Sequence, residues 1–250
     1  LTIKSIDLDS YNTNLQIGDD DEDDKAFTGT LPAIQNASNA TIKTENEDTK
    51  ATISGDVNAD TVDLDSDTSL TFGGKVQAAT IEGDGTITVG AGKLYVTDSV
   101  SSTKLKLSDP TLAVGTTVFT SKTDTVAADD FECYGFTLTK SEGNTVDTFK
   151  IASLNFAGLQ ITGSTNEILP GQSVTYTASA YAPGTSMPEG YAIEFDMDDN
   201  SGVFELKDNG NGTADVKCVD YDDTFAEENR ATLKAYVVDE SGDEDDDYGE

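Results

Sequence analysis

The chain has 250 residues, 48 acidic against 15 basic, no histidine, and a formal charge of −33. Histidine-based triads, cysteine–histidine pairs and histidine-ligated metals are thereby excluded. So strongly negative a surface also repels nucleic-acid phosphates and anionic membranes, for which affinity comes chiefly from clustered Lys and Arg. Hydrophobic residues at 36% together with 22 glycines match the apolar content of globular proteins, so the chain folds instead of remaining disordered.

Residues 1–50 open on an alternating stretch in which Leu1, Ile3, Ile6 and Leu8 carry the apolar positions, which predicts a strand. The chain starts at Leu1 without a basic segment followed by an apolar one, and reads as a mature or excised portion of something longer. An acidic run at 19–24 predicts a loop and leads to a Thr/Asn-rich segment. Asn36 and Asn39 begin glycosylation sequons, as Asn211 does later. Helical periodicity is absent throughout, whereas Thr, Val, Ile and Tyr recur in short runs bounded by Gly, Asp, Asn and Ser. The expectation is an all-β protein.

Between residues 50 and 107 the chain repeats itself. Gly55-Asp56-Val57-Asn58-Ala59-Asp60-Thr61-Val62 aligns with Gly74-Lys75-Val76-Gln77-Ala78-Ala79-Thr80-Ile81 at an offset of 19 residues, and a looser copy starting at Gly92-Lys93-Leu94-Tyr95 follows 18 further on. A period near 19 is one rung of a β-solenoid, in which strands too short to bury an apolar face alone stack on their neighbours. In that arrangement Val57, Val76 and Leu94 stack on one inward face. The alternative is an ordinary antiparallel sheet rich in Gly, Thr and Val.

Residues 108–156 predict short strands at 116–119, 131–138 and 149–151, with Phe131, Cys133, Tyr134 and Phe136 serving the core. Cys133 and Cys218 are the only cysteines; they are a candidate disulfide or, alternatively, two buried thiols behaving as small hydrophobes.

From Leu159 onward well-spaced strands alternate with turn signals: 159–162, the Leu169-Pro170-Gly171-Gln172 turn, 173–180, 191–195, 203–206, the Asn209-Gly210-Asn211-Gly212 hairpin, 213–219 and 231–238. These residues resemble the bacterial immunoglobulin-like domains of surface, adhesin and tailed-virus structural proteins, over roughly residues 157–240. The resemblance rests on the Leu-Pro-Gly-Gln-Ser lead into the second strand, on Phe195-Asp196-Met197-Asp198 where such domains often carry Trp-x-x-Asp, on the Asn-Gly hairpin and on the closing Ala231-Thr232-Leu233-Lys234-Ala235. It implies a spacer, assembly or display module and transfers no catalytic residue. The domains expected are 1–156, 157–242 as an immunoglobulin-like β-sandwich, and an acidic tail at 243–250.

Asp196, Asp198 and Asn200 form a candidate calcium loop, because hard cations take several oxygens from one tight turn; the competing reading is a solvated turn. The spacing is not that of an EF-hand, since Lys207 stands where the final acid belongs. The acidic runs at 19–24, 220–223 and 243–247 add sites for weak cation binding. Without Trp, sugar recognition has only Tyr and Phe platforms, and a single Arg230 leaves little basic apparatus for a polysaccharide lyase. The reading that follows is a non-enzymatic extracellular or cell-surface protein that assembles with copies of itself into an array or filament, with calcium a candidate ligand. A virion structural protein and an adhesin for host protein or glycan are the alternatives.

Overall fold

The computed structural model describes residues 5–8, 14–18, 26–35, 37–108, 112–165, 167–182, 184–187, 189–199, 202–219 and 231–238. The described residues form strands and turns without a helix, in two compact units, Leu1–Leu154 and Asn155–Glu250. The acidic runs at 19–24, 220–223 and 243–247, together with Asn36, Asn200 and Arg230, lie outside the described residues.

The first unit is a β-solenoid. One wall is a six-stranded sheet of β3 (Thr28–Leu31), β6 (Lys50–Ile53), β8 (Ser69–Phe72), β10 (Thr86–Val89), β12 (Lys104–Leu107) and β14 (Glu132–Cys133), every neighbouring pair parallel. The chain crosses between these strands to a second sheet made of β2 (Asn14–Ile17), β5 (Thr41–Thr44), β7 (Val57–Leu64), β9 (Val76–Glu82), β11 (Leu94–Val100) and β13 (Thr117–Lys122), again in parallel register. β1 (Ser5–Asp7) pairs in parallel with β4 (Ala33–Gln35). The parallel ladders rule out the antiparallel alternative for the repeat.

Alternation within the longer strands explains the cross-section. In β7, Val57 and Ala59 point inward, Asp60 and Thr61 both face out, and Val62 and Leu64 point inward again. Two consecutive outward residues turn a strand through a corner, because side chains otherwise alternate faces. β9 does the same at Ala79 and Thr80. β11 takes one extra residue, and its register against β9 slips between Val96 and Ser99, the mark of a β-bulge. The solenoid therefore has three walls, two of them built from one bent sheet.

The core is a set of columns, one residue per rung. Val57, Val76, Leu94 and Phe119 stack in register and are at most 3% exposed. On the opposite wall Ala51, Leu70, Ile87 and Leu105 form one column, and Ile53, Phe72, Val89 and Leu107 another. Each buried Val, Leu or Ile contributes about 1.5–3 kcal/mol, which no single four-residue strand accumulates alone. Polar corners are satisfied internally: the buried hydroxyls of Thr44 and Thr68 lie 2.6 Å apart, Thr68 also donates to the Asp65 carbonyl at 2.7 Å, and Thr103 donates to the Gly83 carbonyl at 3.0 Å. Gly74 is required by close stacking, since a Cβ there would come within 2.4 Å of the Gly55 backbone on the next rung.

After β13 the chain reverses. β16 (Val146–Leu154) pairs antiparallel with β13, and β15 (Phe136–Ser141) antiparallel with β16, so the parallel stack is closed by a hairpin. Phe119 stacks on Phe149 at 4.1 Å and meets Phe131 edge-on at 5.2 Å, filling this end of the core. The single strand expected at 131–138 is instead two: Gly135, at φ 84°, turns the chain between β14 and β15, which belong to different sheets.

The second unit is a β-sandwich. One sheet runs β17 (Leu159–Gly163), β18 (Ser173–Ala180), β21 (Thr213–Cys218), β20 (Phe204–Asp208), and the other pairs β19 (Ala192–Asp199) with β22 (Ala231–Val238), all antiparallel. Lettered in chain order from A to F, these six strands give A-B-E-D and C-F, which matches an immunoglobulin constant-type sandwich in all but its seventh strand, G, absent among the described residues. Leu159, Ala178 and Ala214 from one sheet meet Phe195, Ala235 and Val237 from the other. Phe195 thus takes the place on the third strand where such sandwiches bury a Trp.

Candidate binding cleft on the solenoid wall

Outward positions of the repeat line a concave surface of the first unit. Asn58, Gln77, Tyr95 and Thr120 occupy successive rungs in register, one residue beyond the buried column of Val57, Val76, Leu94 and Phe119. Parallel strands lie about 4.8 Å apart, so these four side chains form a ladder at that pitch. One residue before the buried column stand Asp56, Lys75 and Lys93. With Ile34 of β4 and Ala37 and Ser38 just beyond that strand, they line a half-open cleft of roughly 550 Å3.

Local geometry holds the cationic side of this cleft. The Lys75 backbone N–H donates to Asp56 Oδ1 at 2.7 Å, which ties one corner to the next. Lys93 reaches back to donate from Nζ to the Gly73 carbonyl at 2.9 Å. Among the described residues the charged lining is thus one carboxylate against two ammonium groups, in a chain whose total is −33. Asn58 and Gln77 are exposed amides, each offering donors and an acceptor, and Tyr95 is a half-buried ring with a polar tip.

The candidate calcium loop has a different structure. Asp196 and Asp198 stand two apart on the exposed face of β19, opposite Lys234 and Thr232 of β22, so the strand continues through the segment expected to turn. The turn comes later and is built by Asp199, whose carboxylate accepts from the N–H groups of Gly202 at 3.1 Å and Phe204 at 2.8 Å. Among the described residues no three acids or thiols converge as a metal-holding group. Cys133 and Cys218 are both thiols, the first on β14 and the second buried on β21, the E position of the sandwich. Asn39 and Asn211 sit in exposed turns; Asn211 accepts from the Thr213 hydroxyl at 2.6 Å.

Other perturbed groups serve the fold. Asp147 has no exposed surface; hydrogen bonds from the Gly143 N–H and the Lys140 ammonium hold its carboxyl below the usual range, and the Asp124 N–H adds a third. Burial pushes the Cys133 thiol up to about 12, the neighbouring Glu132 adding to it, so this sulfur is not a nucleophile near neutral pH. Lys106 lies 4.6 Å over the Tyr134 ring, and burial lowers its pKa.

No family model, characterised protein or solved structure matches the chain. The likeness of residues 157–240 to bacterial immunoglobulin-like domains rests on strand pattern and strand order alone.

The repeat alignment already contains Asp56, Asn58, Lys75, Gln77, Lys93 and Tyr95, but assigns no site to them. The signal was the repeat itself: aligning its copies places Asp56, Lys75 and Lys93 in one column and Asn58, Gln77 and Tyr95 in another. Reading only the apolar column hid them.

Proposed function

We propose that this chain is a non-enzymatic extracellular or cell-surface structural protein that associates with copies of itself into an array or filament. The observation that carries this reading is the stack of parallel rungs, with β2 and β3 at one end and β14 and the antiparallel β15–β16 hairpin at the other. A terminal strand presents backbone N–H and C=O groups that a second chain can pair with, and head-to-tail contacts between unlike surfaces propagate into open filaments. The sandwich then acts as a spacer or display module. A charge of −33 opposes the approach of like chains, so association depends on screening.

Light scattering and electron microscopy across a sodium chloride series test this. The Debye length falls from about 30 Å at 0.01 M to about 3 Å at 1 M, and particle mass should rise across that range. Calcium chloride at matched ionic strength should promote association further if the carboxylates bridge neighbouring chains; coincident curves would remove a specific role for calcium. A monomer at every salt concentration would refute self-assembly.

A further inference from the structure

The cleft on the solenoid wall is not accounted for by self-association at the ends of the stack. We propose that it binds a glycan chain carrying carboxylate groups, an oligouronate being the simplest example. The ligand class follows from the lining. Asn58 and Gln77 can each donate to and accept from sugar hydroxyls, at the rung pitch of the strands, which suits a ligand that repeats along its length. Tyr95, next in the same column, supplies a ring on which the apolar face of a sugar packs and a hydroxyl at its rim.

Lys75 and Lys93 decide between neutral and acidic sugars. They stand on neighbouring rungs beside the amide–tyrosine ladder, with Asp56 the remaining charged side chain of the lining among the described residues. Three other lysines of this unit are engaged with acids or rings: Lys43 with Glu45 at 2.6 Å, Lys140 with Asp147 at 2.9 Å and Lys106 over Tyr134. At physiological ionic strength the Debye length is about 8 Å, so a ligand lying in the cleft responds to the charges that line it more than to the acids spread over the rest of the surface. Among the described residues the lining carries a net charge of +1, from two lysines and one aspartate, and each ammonium acts as a point charge toward a carboxylate.

Calorimetric titration of the full chain with oligogalacturonate, with oligoalginate and with methyl-esterified oligogalacturonate tests the proposal. Saturable binding of at least one acidic oligomer is expected, weakened about tenfold or more by Lys75→Gln, by Tyr95→Ala and by esterification. Lys75→Arg should keep affinity. Lys75 is exposed, and circular dichroism melts of each variant establish that it is folded. Absence of saturable binding by both acidic oligomers would overturn the proposal. So would equal affinity for the esterified chain, or wild-type affinity in both Lys75→Gln and Tyr95→Ala.

Discussion

Replacing Val76 by Asp tests the stacked core most directly. Val76 is 1% exposed and lies between Val57 on one rung and Leu94 on the next. Removing its side chain from the core forfeits about 2 kcal/mol of apolar burial. The carboxyl that replaces it faces hydrocarbon, and even when protonated it costs about 1–3 kcal/mol for lack of a hydrogen-bond partner. The sum, about 3–5 kcal/mol, is a large share of the roughly 5–15 kcal/mol that stabilises a typical domain. Gln77→Asp, one residue along and facing out, should change stability by no more than about 0.5 kcal/mol. The two variants also differ in pH response. Desolvation raises the folded-state pKa of an acid at position 76 above its unfolded value near 3.9, so the folded state binds more protons and stability falls as pH rises from about 4 toward that raised value. Urea titrations of the full chain followed by far-ultraviolet circular dichroism at mildly acidic and neutral pH provide the measurement. Equal stabilities for the two variants would refute the inward placement of Val76. A double-mutant cycle between Val76→Ala and Leu94→Ala then tests the pairing itself, with coupling above about 0.5 kcal/mol expected for residues in contact.

Asp147→Asn should lower the melting temperature at neutral pH, because the Gly143 N–H and the Lys140 ammonium favour the charged carboxylate. Since the folded-state pKa is depressed, this contribution is present above about pH 4 and is lost as pH falls through the folded value; the gap between variant and wild type should close in acid, and a pH-independent gap would contradict the assignment. Cys133, with its thiol pushed up to about 12, should alkylate at pH 8 about three orders of magnitude more slowly than an ordinary cysteine, as peptide mapping after iodoacetamide would show, and urea should abolish the difference. A fragment of residues 155–250 should unfold cooperatively in urea, and Phe195→Ala within it should cost about 3–5 kcal/mol; a broad, non-cooperative transition would contradict an independent sandwich.

The residues alone determine the all-β class, because strand alternation and turn chemistry are local. They also give the central rungs, where the 19-residue offset of the repeat is the register of β7 on β9. The sandwich strands are legible for the same reason: Asn209-Gly210 and Leu169-Pro170-Gly171 mark reversals by their own backbone preferences. The outer rungs are not legible, since offsets of 27 between β2 and β5 and 28 between β12 and β14 break any fixed period. Nor does local chemistry reveal that Asp196 and Asp198 continue a strand, which depends on the eight-residue partner offered by β22. Only the tertiary structure joins Lys140 to Asp147 across a hairpin and collects Asp56, Lys75 and Lys93 on one edge of the cleft. Stacking does this, by bringing residues about 19 apart in sequence to about 4.8 Å in space, a proximity that no local propensity encodes.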